Sequence, residues 1–466
     1  MNRKTLNNFL RSYIAKYNFF IVFILLIIIF YILLSLFFIN HLHFNTQING
    51  VDVSLKSHDE IKDLYVNNIN NYKLKLIERN GMPEIISVKN LGIYYNDKNS
   101  ISDIYKVQNS AMWITSLFKK QKYYINDLYI FNHEIFENKI NDLNCLNHEI
   151  ITPKNASFIY VNGSYKIIKE VLGNKINKDF LKEKIKHSIL LGEQILHLDK
   201  NNCYEKPKYT MLSDKTMETY YMLNKYLDTK ITYVFGSRKE ILDKDITNKW
   251  FIINKDLEVY IDEAEVLNYV KNLSKKYDTM GATRNFKTST GKTVEVKGGL
   301  YGWKIDAWAE TESLIKNIIL GEVIEKEPIY IQKAQKRDEN DIGDTYVEIN
   351  ITKQHLWFYK SGKLLVQSNI VSGNPNKGHQ TALGTYALNY KQENAILKGE
   401  DYETNVNYWM PFFGNIGIHD ARWRYAFGNK IYEHAGSHGC INVPLYVAKI
   451  IFENIETGIP IVCYEE

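Results

Sequence analysis

The sequence predicts a single transmembrane helix, then one or more α+β units, then a mainly β domain at the C-terminus. Three observations carry this. Residues 19–39 form an unbroken apolar run with only Tyr31 and Ser35 as mild polar interruptions. Between residues 48 and 332, short β-branched runs alternate with stretches of helical periodicity. After residue 345 the pattern turns to alternating, aromatic-rich strands joined by tight turns. The 466 residues suffice for several cores. They divide into a cytoplasmic tail (1–18), a transmembrane helix (19–39), α+β units (40–212 and 213–332), a linker (333–344) and a terminal domain (345–466).

The apolar run is long enough to cross a hydrocarbon core of about 30 Å. Arg3, Lys4, Arg11 and Lys16 precede it, no acid does, and no Lys or Arg follows before Lys56. Basic residues stay on the inner side, which puts the N-terminus inside and the rest outside. A cleaved signal peptide would be shorter and end in small residues. Asn40, His41, Leu42, His43 and Phe44 make no such site, so an uncleaved anchor is expected. The net charge of +5 without a basic stripe argues against a nucleic-acid partner. Cys145, Cys203, Cys440 and Cys463 are far apart, with no zinc-ribbon spacing. Cys145, Cys203 and Cys463 read as small buried hydrophobes, with a Cys145–Cys203 bridge left open.

In the first unit Ser57 and Glu60 have capping-box spacing, and Asn80-Gly81 reads as a hairpin turn between strands at 73–78 and 85–88. Asn177 caps a helix with Phe180, Leu181, Ile185, Ile189 and Leu190 on one face, ended by Gly192. In the second unit, residues 217–227 are helical and 231–235 form a strand. Asp262 opens a helix carrying Val266, Leu267, Val270, Leu273 and Tyr277, so strand-then-capped-helix occurs twice, as in a duplication. Residues 298–303, two glycine breaks with aromatics between, read as a tight turn with its aromatics in the core; the alternative is a sugar- or peptide-contacting loop. A helix from Asp306 carries Trp308, Ile315, Ile318 and Ile319.

The chemistry concentrates in one late window: His419 and Asp420, then Ser437, His438, Gly439, Cys440 and Asn442. A thiolate attacks carbonyls, and a free thiol with a pKa of about 8.5 is only slightly ionised at neutral pH. An imidazole beside it can take the proton. Glycines let backbone N–H groups approach a developing oxyanion, each such donor contributing roughly 3 kcal/mol. Pro444 can open a helix carrying Val447, Ile450, Ile451 and Ile455.

His419, a loop-like gap and then Ser-His-Gly-Cys-Ile-Asn resemble the signature of L,D-transpeptidases of the YkuD type. Upstream, Thr381-Ala-Leu-Gly384 is similar to that family's Thr-Pro-x-Gly, with Ala382 in place of proline. The resemblance implies a small β-sandwich with one catalytic helix. It implies Cys440 as nucleophile and His419 as general base, oriented by the backbone carbonyl of Asp420, so that the Asp420 side chain need not act. It implies oxyanion donors among the backbone N–H groups of Gly439, Cys440 and His438, loop support from Ser437 and His438, and a polar role for Asn442. The expected reaction attacks the L-centre of the third residue of a donor tetrapeptide stem, expels terminal D-alanine and passes the acyl group to the diamino-acid amine of an acceptor stem. The product is a 3→3 cross-link; water in place of the amine would make an L,D-carboxypeptidase. A flap between Tyr390 and Phe413 is expected over the cleft, with Tyr402, Trp409 and Trp423 as substrate-binding residues. Arg422 and Arg424 either attract a stem carboxylate or stay in solvent. The earlier units resemble peptidoglycan-binding domains. The partners implied are peptidoglycan stem peptides and the cytoplasmic membrane, with no cofactor and no metal.

Two readings compete. A metal-dependent wall peptidase would use His419, Asp420, His434 and His438 as ligands, but lacks helical ligand spacing and leaves the Ser-His-Gly-Cys run unexplained. A non-catalytic wall-binding scaffold would fit a decayed site, against which stand His419 and Cys440.

Overall fold

The computed structural model describes residues 3–338, 340–399 and 403–466. It opens with the helix Arg3–Phe37, whose stretch Asn8–Phe37 is long enough to cross a membrane and carries a continuous apolar run. From Asn8 its side chains are exposed nearly all round until the last turns.

The chain forms two compact units. The first is Met1–Ser157 with Ile168–Ser213; the second is Phe158–Ile167 with Asp214–Glu466. In the first, Ser57 and Glu60 make the reciprocal capping box of helix His58–Asn71. Lys73–Ile77 and Pro83–Ser87 pair antiparallel across the Asn80-Gly81 turn. Asn177 caps Lys178–Leu191, and Gly192 ends it in the left-handed conformation. Leu181, Ile185 and Ile189 of that helix are buried, but Phe180 is exposed. The first-turn position turns Phe180 outward, where Lys184 lies over its ring. Cys145 and Cys203 share one apolar core and are both free.

The second unit begins with the strands Arg238–Leu242, Lys230–Phe235 and Val323–Lys326, joined in that order. The helices Glu263–Tyr277 and Ala307–Leu320 share a core with them. Trp308, expected on the apolar face, is exposed instead, with Lys271 over its ring. Tyr301 and Trp303 are buried, so residues 298–303 form the turn with inward aromatics.

Two sheets build the terminal region. One has five strands in the order Lys363–Asn369, His355–Lys360, Tyr346–Asn350, Pro460–Tyr464, Gly384–Ala387. The other has four, in the order Gln392–Lys398, Glu403–Phe413, Ile416–Asp420, Ile441–Val443. Both contribute to one apolar core with helix Leu445–Asn454 and Cys463. Pro444 stands at the N-cap of that helix.

Within residues 333–344, read as a linker, residues 341–343 are buried. The Arg284 guanidinium donates to both oxygens of Asp341 at 2.7 Å, and Ile342 is buried. The hairpin Arg284–Lys287/Thr293–Val296 sets Phe286 against Tyr346 and Tyr464, while Ser289 donates through N and Oγ to buried Glu348. A charged stretch therefore joins the body through ion pairing that apolar periodicity does not reveal.

Candidate active site

Strand alternation places the chemistry. Ile418 pairs with Ile441 and His419 with Asn442 in parallel register. Ile418, Ile441 and Val443 point into the apolar core. Side chains alternate along a strand, so His419, Asn442 and Cys440 share the opposite face. There they line one cavity of about 220 Å³, together with Ser437, His438, Gly436, Trp423 and Arg424. Leu397 and Thr404 of the Gln392–Lys398/Glu403–Phe413 hairpin complete the wall, which is the place expected of the flap.

Hydrogen bonds fix the imidazole. Arg424 Nε–H donates to Asn442 Oδ1 at 2.8 Å, which turns the Asn442 NH₂ toward His419. Asn442 Nδ2 lies 3.0 Å from His419 Nε2 and must donate, so Nε2 carries the lone pair. The proton is then on Nδ1, which donates to the Asp420 carbonyl at 2.9 Å. Burial pulls the His419 pKa below the ordinary imidazole value, keeping the ring neutral. Nε2 is thus the basic nitrogen, facing the cavity side of the strand.

Cys440 is 6 % exposed and shares a small apolar cluster with Trp409, Val406 and Ala395. Burial raises the Cys440 thiol to about 11, against a smaller opposing effect from the Gly417 N–H. The thiol hydrogen points to the Asn415 carbonyl at 3.5 Å. The resting pair is therefore a neutral thiol and a neutral imidazole.

Around the sulfur the backbone is tied down from several sides. Ser437 Oγ–H donates to the Cys440 carbonyl at 2.5 Å and accepts from Gly439 N–H at 3.1 Å. That second bond occupies the Gly439 N–H with the serine and ties the loop, the support role expected of Gly439. Gly439 has φ +115°, a conformation that favours glycine. Thr381 Oγ1–H donates to the Gly439 carbonyl at 2.7 Å and accepts from Gly373 N–H at 3.0 Å. A Cβ on Gly373 would stand 1.8 Å from the His379 carbonyl oxygen, so only glycine allows this approach. His438 packs its ring on His379 at 4.6 Å between centroids.

The Asp420 side chain has a separate, structural place. It is fully buried, and Oδ1 accepts from Asn407 N–H at 2.7 Å and Tyr408 N–H at 2.8 Å. It pins the flap strand to the histidine strand. Trp409 packs 5.8 Å from the His419 ring and is buried, while Trp423 stands 6.0 Å away and half in solvent. Tyr402 lies outside the described residues. Arg422 is exposed, 3.8 Å from Asp420 Oδ2. The partners missed by sequence reading were Thr381 as a loop clamp, Gly373, Asn415, Gly417 and the Arg424–Asn442 link. Only Thr381 carried a signal, through its motif. As for metals, both His419 nitrogens are engaged, and among the described residues no three His, Cys, Asp or Glu side chains gather as a metal site.

A polar cavity lined by His419, Cys440, Ser437 and Gly436 has the groups that acyl transfer uses. The model of the YkuD family, the L,D-transpeptidase catalytic domain, matches residues 344–463, and the family described as "Putative peptidoglycan binding domain" matches residues 85–196 and 211–323. The second family matches twice, in successive stretches of similar length. A cysteine-to-serine variant of the Enterococcus faecium L,D-transpeptidase is 35 % identical over 53 % of this chain and 100 % of its own, with a TM-score of 0.45. The catalytic domain of the E. faecium enzyme acylated by ertapenem is 41 % identical over 26 % of this chain and 98 % of its own, with a TM-score of 0.25. A Mycobacterium smegmatis L,D-transpeptidase is 20 % identical over 26 % of this chain and 58 % of its own, with a TM-score of 0.23. No curated protein matches the chain. Residues 344–463 are therefore an L,D-transpeptidase catalytic domain of the YkuD family, preceded by two matches to the peptidoglycan-binding family.

Proposed function

We propose that the protein is a membrane-anchored L,D-transpeptidase that forms 3→3 cross-links through a thioester on Cys440. The anchor is residues 19–39, with the N-terminus inside and the catalytic domain in the cell-wall space, in keeping with Arg3, Lys4, Arg11 and Lys16 on one side. The observation that supports this best is the shared face of Cys440, His419 and Asn442 on one cavity.

On this reading the thiol rotates from the Asn415 carbonyl to His419 Nε2 and displaces the Asn442 amide. The proton passes to Nε2 as the sulfur bonds to the carbonyl carbon of the third donor residue. The Cys440 N–H donates to the oxyanion. The C–N bond to the terminal D-residue breaks, and the imidazolium returns the proton to the leaving amine. The acceptor amine then attacks the thioester, its proton passes through His419 to the departing sulfur, and the cross-link is released. Arg424 lines the cavity, donates to Asn442 and the Ala435 carbonyl and has no carboxylate partner among the described residues, so it receives a carboxylate of the donor stem. The test is the full-length protein with a disaccharide-tetrapeptide, products read by mass. Cross-linked dimer less one D-alanine is expected; trimmed tripeptide alone would replace transfer by L,D-carboxypeptidase action, and unchanged substrate would overturn both.

A further inference from the structure

We propose that residues 107–124 of the first unit form a wedge seated in the outer leaflet beside the anchor helix, with lipid phosphates held at its lysines. This rests on reading residues 19–39 as a membrane span. The anchor is not bare at its outer end. Tyr31, Leu34 and Ser35 are half-buried and Phe38 is buried, a spacing that marks one helical face. Residues 110–116 cover that face. Tyr31 Oη–H donates to the Ala111 carbonyl, and the Trp113 ring lies 5.8 Å from Tyr31 and 6.0 Å from Phe38.

Depth follows from helix geometry. Polar sequence begins at Asn40. Tyr31 lies nine residues earlier, so at 1.5 Å per residue it sits about 13 Å inside the start of polar chain. A segment touching Tyr31 shares part of that depth. Its outward side chains suit it: Phe118 is 88 % exposed and Val107 85 %, with Met112, Ile114 and Leu117 also exposed. In water such a cluster beside a span is costly; in the leaflet it is buried.

Several carbonyls of the segment are satisfied internally, as a low dielectric favours, while the buried Trp113 Nε1 and Ser35 Oγ have no hydrogen-bond partner. Ser110–Met112 and Trp113–Ser116 are consecutive helical turns. The Thr115 and Ser116 hydroxyls donate to the Met112 and Trp113 carbonyls, and Asn45 Nδ2–H donates to the Ser116 carbonyl at 2.8 Å. Beyond Phe118 the character changes within one residue. Lys119, Lys120 and Lys122 line a cavity of about 550 Å³ with His43, four residues past Ile39, and have no carboxylate partner among the described residues. An apolar tip bordered by cations at the level where the anchor emerges matches acyl chains below and anionic headgroups above.

The experiment uses full-length protein in phosphatidylglycerol–phosphatidylcholine nanodiscs, with Cys440→Ala to confine labelling. Nitroxides are placed by Phe118→Cys in the wedge, Met82→Cys on an exposed turn of the same unit, and Leu26→Cys in the anchor. Accessibility to oxygen and to a water-soluble nickel complex is read at each. The expected result is a Phe118 label with an oxygen-to-nickel ratio several-fold above that of Met82 and close to that of Leu26. A shielded Leu26 with Phe118 as nickel-accessible as Met82 would overturn the wedge and leave the anchor standing. An aqueous Leu26 would overturn the anchor itself. For the headgroups, native mass spectrometry of the same nanodiscs should show fewer phosphatidylglycerols retained by the variant Lys119→Gln/Lys120→Gln/Lys122→Gln; equal retention would overturn their assignment to the lysines.

Discussion

Arg284 and Arg424 belong to the same unit, and both guanidinium groups are drawn away from bulk water, yet they are finished differently. Arg284 donates to both Asp341 oxygens and to the carbonyls of Ala282, Thr279 and Tyr301. Arg424 donates to Asn442 and to the Ala435 carbonyl, and among the described residues no carboxylate meets it. Burial lowers its pKa without a compensating anion. A buried cation with a full set of acceptors braces structure; one left short at a cavity wall is set for a ligand. The two cysteines of the domain divide in the same way. Cys463 lies among apolar side chains, while Cys440 has a backbone N–H, a carbonyl and a histidine on its side of the strand.

The largest break in the comparison is Cys440→Ala, which should abolish both cross-linking and carbapenem acylation. Residual acyl adduct in the variant's mass spectrum would contradict the assignment. Next comes Asp341→Ala, which strands Arg284 without its carboxylate and should cost about 3 kcal/mol of stability in chemical denaturation. Its folded molecules should turn over at the wild-type rate. Arg424→Met should do the reverse, losing about 2 kcal/mol, roughly 30-fold, in kcat/KM with the melting temperature little moved. Donor stems carrying a carboxamide in place of the contacted carboxylate should erase the difference between Arg424→Met and wild type. If they do not, Arg424 serves only to hold Asn442.

A smaller effect is set by pH. Transfer to Nε2 requires neutral His419, whose pKa is lowered by burial from 6.5, so the acid limb of the rate profile should fall below 6.5. The same shift acts on stability. The unfolded imidazole takes a proton first as pH drops below 6.5, so this contribution is whole above that value and declines beneath it until the folded ring also protonates. His419→Gln should flatten that part of a melting-versus-pH curve. The smallest effect is Cys463→Ala, a core truncation worth about 1 kcal/mol that should leave acylation intact.

Much was readable along the chain because it depends on local order. Ser57 with Glu60, Asn177 and Asp262 announce helix starts through side chains that reach only three residues. The Ser437-to-Asn442 run announces its chemistry because the sulfur, its glycine and its serine are covalent neighbours. Phe180 and Trp308 were misplaced because first-turn positions on an amphipathic helix sit at the edge of the apolar stripe, where a neighbouring lysine decides the outcome. The linker was misplaced because Asp341 is charged, and a charge reads as solvent until its partner is known.

The sequence alone announced the long apolar helix, the order of the modules and the residues that gather around Cys440. Each is written in hydropathy or in residues a few positions apart. Tertiary structure decided which imidazole nitrogen is basic, because Arg424, Asn442 and the Asp420 carbonyl settle it together across two strands. It also decided that Thr381 clamps the Gly439 carbonyl and that Trp113 lies on Tyr31. Hydrogen-bond direction and burial depend on what arrives from far along the chain, and no local pattern encodes the arrival.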